Sequence, residues 1–377
     1  MPTISIRGNE MPASPIRKLA PLADAAKQRG VHVFHLNIGQ PDLPTPQAAI
    51  DAIRNIDRKV LEYSPSAGYR SYREKLVGYY AKFNINLTAD DIIITSGGSE
   101  AVLFSFLSCL NPGDEIIVPE PAYANYMAFA ISAGAKIRTI ATTIEEGFSL
   151  PKVEKFEELI NERTKAILIC NPNNPTGSLI TPDKLKTILT HCKETNTYVM
   201  IDETYIEFVP DVDELSAIPL SELFDNVIIL RGTSKFFATP GLRLGYAITS
   251  NSQILTDINT NKNPWMINSL AVVAGETMFL DEEYIDKTRS LILSEKTRCR
   301  QLIEESHKFK LYPSYSNFYL LKILDESVDA HMLFERAIRQ GMMIRDCSTF
   351  PGLEERFIRF CIMKPEDNTR LINCLIQ

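Results

Sequence analysis

The 377-residue chain is long enough for two or three domains, and its 45% hydrophobic and 23% charged content is that of an ordinary globular protein. A net charge of −7 argues against a nucleic-acid partner, which would need a basic surface. No stretch reaches the roughly 18 apolar residues of a membrane span, and the N-terminus lacks the apolar core of a secretory signal, so a cytoplasmic protein with no membrane partner is expected.

The proline-rich start reads as an arm that must pack on something else. From there short apolar runs alternate with amphipathic stretches, the pattern of βα units around a buried parallel sheet. Strands are expected at Asp91–Thr95, Glu115–Pro119, Lys136–Ile140, Lys165–Cys170, Tyr198–Ile201, Asn226–Leu230 and Leu242–Thr249. Helices are expected at Gly98–Leu110, Ala124–Ala133 and Thr181–Glu194. One long helical stretch, Asn268–Glu305, should carry the chain into a smaller α+β part. There the pattern predicts strands at Asn317–Ile323, Met342–Arg345 and Phe357–Ile362, with helices at Ala330–Gln340 and Pro365–Leu375. The expected division is an arm and part of the small domain over 1–48, a large α/β domain over 49–280 and a small domain over 281–377. The seven cysteines are scattered without a CxxC and the five histidines show no ligand spacing, so neither a disulfide framework nor a protein-bound metal is expected.

Chemistry concentrates at strand ends. Asn171-Pro-Asn-Asn-Pro-Thr-Gly177 follows one strand, where ligands bind in α/β sheets; it reads equally as a plain turn. Asp202 ends the next strand. A carboxylate at that depth needs a partner, either a ligand N–H or, as a helix cap, the backbone. Lys235 and Arg243 lie in Arg231-Gly-Thr-Ser-Lys-Phe-Phe-Ala-Thr-Pro-Gly-Leu-Arg243, a small-residue setting that suits a lysine reacting with an aldehyde better than a solvated face. Thr95-Ser-Gly-Gly-Ser99 opens a helix and offers backbone N–H groups to a phosphate. Tyr123 is placed to stack on a planar ring or to sit in the core. Arg359, within Phe-Ile-Arg-Phe-Cys-Ile, either pairs with a structural acid or forks onto a ligand carboxylate.

In this order along nearly the whole chain, these motifs closely resemble the class I/II aminotransferases of pyridoxal-phosphate fold type I. The resemblance implies a large domain with a mostly parallel seven-stranded sheet, a smaller α+β domain, and pyridoxal 5'-phosphate as cofactor. It implies Lys235 as the Schiff-base lysine and proton shuttle, Asp202 on the pyridine nitrogen, and Asn174 and Tyr205 on the ring 3-oxygen. Tyr123 would stack on the ring, while Gly97, Gly98, Ser99, Ser234 and Arg243 would hold the phosphate. Arg359 would clamp the substrate α-carboxylate with help from Asn174 and the backbone near Gly39. Tyr63 resembles a tyrosine that reaches the neighbouring subunit's phosphate, implying a homodimer with shared active sites. The substrates would be an amino acid and a 2-oxo acid. Where the family often carries Ser or Thr three residues before the lysine, this chain has Gly232, with Thr233, the backbone or a water as possible substitutes.

The two halves resemble different branches. Met11-Pro-Ala-Ser-Pro-Ile-Arg-Lys and Leu36-Asn-Ile-Gly-Gln-Pro-Asp42 look like aspartate aminotransferase-type enzymes. Pro240-Gly-Leu-Arg-Leu-Gly-Tyr, Pro264-Trp-Met-Ile-Asn268 and Ile344-Arg-Asp-Cys-Ser-Thr-Phe-Pro-Gly352 look like histidinol-phosphate aminotransferase and threonine-phosphate decarboxylase. In those two an arginine matching Arg345 contacts the distal phosphate; here Arg345 is that contact or a structural ion pair. Transamination is the first expectation and decarboxylation of an amino-acid phosphate the alternative.

Overall fold

The structure, a computed structural model, describes residues 2–13, 19–39 and 42–377. Parts of two motifs named above, 14–18 and 40–41, lie outside these residues.

Seven strands build the main sheet: β1 (Ile92–Thr95), β2 (Glu115–Glu120), β3 (Lys136–Ala141), β4 (Thr164–Cys170), β5 (Tyr198–Asp202), β6 (Val227–Gly232) and β7 (Gly245–Ile248). Their order is β1-β7-β6-β5-β4-β2-β3. Only β7 runs against its neighbours, pairing antiparallel with β6 and β1, so the sheet is mostly parallel. The runs are apolar almost without interruption because both faces are covered. Ile167, Ile169, Val199 and Ile201 pack on one face with Leu185 and Leu189 of the Pro182–Glu194 helix. Leu168, Cys170, Met200 and Leu230 pack on the other with Phe106 and Tyr126, from the Gly98–Cys109 and Asn125–Ala133 helices.

A second, antiparallel sheet follows: β8 (Phe309–Leu311), β9 (Phe318–Ile323), β10 (Arg345–Asp346) and β11 (Phe357–Cys361), in the order β10-β11-β9-β8. The incoming chain joins it. Phe34 N–H donates to Gly341 O (2.8 Å), and Cys361 N–H donates to Leu36 O (3.1 Å). Residues 34–39 are thereby drawn against the C-terminal sheet and toward the ends of β4–β6.

Three sequence expectations need correction. The long helix is two helices, Ser269–Met278 and Glu282–Glu305. Asp281 breaks it by accepting from Tyr284 N–H as an N-cap (3.0 Å), with Glu282 and Glu283 favourably placed in the first turn. The strand expected at Met342–Arg345 begins only at Arg345. Met342 makes a lone parallel bridge with Phe34, so its apolar run is buried by the arm rather than by a ladder. β7 starts at Gly245, not Leu242, because Pro240–Leu242 forms a 3-10 turn and Arg243 is left-handed (φ 53°). No helix among the described residues is long and apolar enough to cross a membrane.

Beneath the sheet's carboxyl edge lies a buried ionic network. Arg231 of β6 meets Glu203 at 3.1 Å and Glu207 at 3.1 Å, with all three side chains nearly inaccessible. Tyr79 donates to Glu207 (2.6 Å), and the Ser216 hydroxyl and Ala217 N–H donate to Glu203. Burial holds the Glu203 carboxyl above its usual range against the pull of Arg231. Removing one member of such a group strands the remaining charges, which costs ~3–5 kcal/mol. Arg231→Met is therefore expected to lower the unfolding midpoint sharply in a thermal or urea titration. A midpoint equal to that of the parent chain would show that the network does not support the fold.

Candidate functional site

Adjacent parallel strands in register end at one edge. Cys170 lies opposite Asp202, and Asp202 opposite Leu230, so the segments after β4, β5 and β6 emerge side by side. They open a cavity of about 280 Å³ whose walls include Tyr123, Asn174, Asp202, Tyr205, Lys235 and Arg359. Gly98, Ser99, Ser234, Arg243 and Arg345 complete the set of expected residues that it brings together.

After β4 the loop is tied by its own asparagines. Asn171 exchanges two hydrogen bonds with Ile180, and Asn173 accepts from Thr176 N–H and hydroxyl. Asn174 is left to face the cavity. Its Oδ1 accepts from Arg359, which leaves its Nδ2 as a donor for a ligand oxygen. The turn reading and the ligand reading of this motif are thus compatible.

Asp202 likewise combines both of its readings. Oδ1 accepts from Thr204 N–H (3.0 Å) and hydroxyl (2.6 Å), a local cap, while Oδ2 accepts from Tyr126 (2.7 Å). The carboxylate is held in one orientation with acceptor capacity still directed at the cavity. Sequence reading missed both supports. Thr204 was detectable, since a threonine two residues after an aspartate is a turn signature; Tyr126 is brought in by packing alone. Tyr205 lines the same wall, its phenol held well above the usual range by burial. Gly39 fits against it: with φ +72°, an added Cβ there would meet the Tyr205 hydroxyl at 2.6 Å.

Lys235 follows β6, and its Nζ donates to Ile38 O (2.7 Å). Burial, reinforced by the nearby Arg359 and Arg243 cations, brings its amine down to about 8. The Gly98–Cys109 helix starts beside it, capped by Gly97 at φ 86°. Gly97 does not line the cavity itself. It makes room for Arg243, whose Nη2 would lie 2.5 Å from an added Cβ. An exposed cation therefore sits over a helix N-terminus, an arrangement that attracts an anion. An added Cβ at Gly232 would make ordinary contact with Gly98 N at 3.5 Å, so this position faces the same cradle. Thr233 does not replace the missing hydroxyl. It is buried, donating to Leu244 O (3.1 Å) and accepting from Thr239 (3.0 Å).

The opposite wall comes from the small sheet. Arg345 and Arg359 are direct cross-strand partners on β10 and β11, and both are buried. Among the described residues neither has a carboxylate partner. Arg359 donates to Asn37 O (2.6 Å) and Asn174 and lies over Phe318. Arg345 donates to Thr349 (2.8 Å) and lies over Phe350. The structural ion pair considered for Arg345 is thus not formed among the described residues. Tyr63 is the outlier: it is 80% exposed, its ring tilted against that of Trp265 at 4.9 Å, and does not line the cavity of its own chain.

Known proteins resemble this chain in sequence and in fold. A sequence profile described as aminotransferase class I and II matches residues 31–375. The threonine-phosphate decarboxylase of Salmonella typhimurium is 30% identical over 91% of this chain and 89% of its own length. The histidinol-phosphate aminotransferase of Methanopyrus kandleri is 27% identical over 87% of this chain and 83% of its own. The crystal structure of an aspartate aminotransferase from Thermotoga maritima superposes with a TM-score of 0.87 at 25% identity, covering 99% of each chain.

The neutral amine is the nucleophile toward an aldehyde. A group lowered to about 8 gains that form as pH rises through about 8, well before an ordinary lysine does. Treatment with pyridoxal phosphate and borohydride, followed by peptide mass mapping, should show Lys235 labelling that climbs between neutral pH and pH 9 and then levels off. Labelling that continues to rise at higher pH, in step with the surface lysines, would contradict this assignment.

Proposed function

The chain belongs to the class I and II aminotransferases, a pyridoxal-phosphate-dependent family of fold type I, and we propose that it transfers the amino group of an L-amino acid with an anionic side chain to a 2-oxo acid by a ping-pong mechanism. The observation that carries the substrate class is the Arg345–Arg359 pair. Like charges directly opposite in a sheet are unfavourable, and buried cations without acids are more so. An anionic group at each relieves both penalties.

The residues present fit the cofactor. Asp202 is an oriented acceptor suited to the pyridine N–H, Asn174 Nδ2 and the Tyr205 hydroxyl are donors for the ring 3-oxygen, and Tyr123 presents an aromatic face. Gly98, Ser99, Ser234 and Arg243 would hold the phosphate, with Gly97 leaving the room that Arg243 needs. When bound, the cofactor supplies an electron sink for the substrate's Cα. Asp202 would accept from the ring N–H and so favour that sink, and the Lys235 amine would be the base that takes up and returns the substrate's Cα proton. Arg359, steered by Asn174 and Asn37 O, binds the α-carboxylate in the sense of a bidentate fork, with the backbone at Gly39 closing that side. Arg345 reads the distal anion. Tyr63, exposed beside Trp265, belongs in this reading to a homodimer in which each subunit contributes it to the other's phosphate. The arm and small domain (1–48 and 281–377) then close on the large domain (49–280).

The second reading, decarboxylation of an amino-acid phosphate, is favoured by the 30% identity to threonine-phosphate decarboxylase. A visible and near-ultraviolet absorbance titration of the holoenzyme separates the two. Bleaching of the cofactor band by L-glutamate, reversed by 2-oxoglutarate, is the expected result; a band inert to amino donors but accompanied by CO₂ release from an amino-acid phosphate would replace it. Arg345→Gln should reduce kcat/KM for a substrate with an anionic side chain by roughly 30-fold or more, the lower end of the cost of truncating one partner of a buried charge pair, while alanine as donor changes little. An equal loss for both would remove Arg345 from side-chain recognition.

Gly232→Ser offers a gain. Its hydroxyl would enter the anion cradle, and one added hydrogen bond is worth about 1 kcal/mol. Cofactor loss on dialysis should slow by about fivefold; unchanged retention would show the cradle already complete.

A further inference from the structure

A second cavity, about 340 Å³, lies behind the Asn171–Gly177 loop. It lies between the 142–153 segment and the Pro182–Glu194 helix, and its walls are mainly apolar, with Leu150, Val153, Leu168, Ile169, Leu179 and Ile188 among them. Its polar lining atoms on the loop side, in Asn173 and Thr176, are already engaged with each other. Lys152 and Lys184 are different. Both line the cavity and are exposed, and neither has an acidic partner among the described residues.

The enclosing segment is built rather than loose. Thr142 donates to Glu120 O (2.7 Å), and Phe148 N–H donates to Thr143 O (2.8 Å). Phe148 itself is 4% exposed, seated beside Tyr312 at 5.1 Å, in the apolar cluster that also holds Phe350. A space of this size with an apolar wall and a few charged groups at its mouth has the character of a small-molecule site.

We propose that this cavity binds a small amphiphilic carboxylate, an alkyl acid whose chain fills the apolar chamber and whose head group meets Lys152 and Lys184. The charge of the two unpaired lysines selects the acid over an amine or an alcohol of the same length. The chamber is distinct from the Arg345–Arg359 wall, which lies in the other cavity. The two spaces share Tyr126 and Cys170 in their walls, and Tyr126 is the donor to Asp202.

Octanoate is a suitable probe, titrated calorimetrically into the holoenzyme with and without saturating L-glutamate. One site is expected, unaffected by L-glutamate and clearly tighter than that for octylamine. The double variant Lys152→Glu/Lys184→Glu replaces two attractions with two repulsions at exposed positions and should weaken octanoate by about tenfold with turnover unchanged. Ile188→Trp fills the chamber and should abolish binding. Should that variant fail to fold, the lysine variant decides alone. Absence of binding to the parent enzyme, displacement by L-glutamate, or an affinity unchanged in the lysine variant would each overturn the proposal.

Discussion

The arrangement depends on the in-register ending of three adjacent parallel strands. Cys170, Asp202 and Leu230 form one row across β4, β5 and β6, so the chain leaves the sheet three times within the width of a small molecule. Each exit brings one chemical element: the Asn171–Gly177 loop, the Asp202 carboxylate and the Lys235 amine. Parallel strands put these exits on the same edge and force the return connections elsewhere. An aspartate at the end of a buried strand is tolerable only because Thr204 and Tyr126 satisfy it in place. The same bonds that make Asp202 affordable to the fold remove its freedom to turn away from a ligand.

Charge is distributed unevenly around this edge. Below it, Arg231 lies between Glu203 and Glu207 in a network with both signs represented. Within the cavity Lys235, Arg243, Arg345 and Arg359 face a single carboxylate, Asp202. The compensated cluster supports structure, whereas the excess of cations is a standing demand for anions. That demand helps to explain the low value at Lys235: its charged form is opposed by burial first and by neighbouring arginines next. An incoming phosphate at Arg243 and a carboxylate at Arg359 would relax this opposition, so ligand binding and the protonation of Lys235 are thermodynamically linked.

Legibility in the sequence followed the range of the signals. The strands of the main sheet were readable because each is a short apolar run with both faces buried, and their ends moved by only a few residues. Asn174, Asp202 and Lys235 were readable because each sits at a fixed offset from a strand end. The break at Asp281 was hidden by continuous helical periodicity on both sides, and only the N-cap distinguishes two helices from one. Met342 looked like strand because a buried apolar run has no period to separate ladder from packing. Tyr126 and Asn37, which hold Asp202 and Arg359, were not readable, since their partners lie 76 and 322 residues away. Of the three substitutes considered for the hydroxyl missing at Gly232 (Thr233, the backbone or a water), Thr233 is turned away by its own hydrogen bonds to Leu244 and Thr239.

Reaction choice is the point at which sequence similarity to two activities meets one geometry. The same Lys235, Asp202 and Asn174 serve either outcome, because the cofactor accepts electrons from whichever bond at Cα is aligned with its π system. Alignment is set by where the substrate's two ends are held. In the proposed reading Arg359 fixes the α-carboxylate, and its bonds to Asn174 and Asn37 hold the guanidinium itself in place. Arg345, on the short strand β10 and supported by Thr349 and Phe350, has fewer constraints. A rigid anchor at the α-carboxylate with an adaptable one at the side chain keeps the carboxylate engaged while Cα turns, which favours exposing the Cα–H bond over the Cα–carboxylate bond. In the proposed reading a preference for transamination would come from the unequal stiffness of the two arginines and not from any difference in the residues that meet the cofactor.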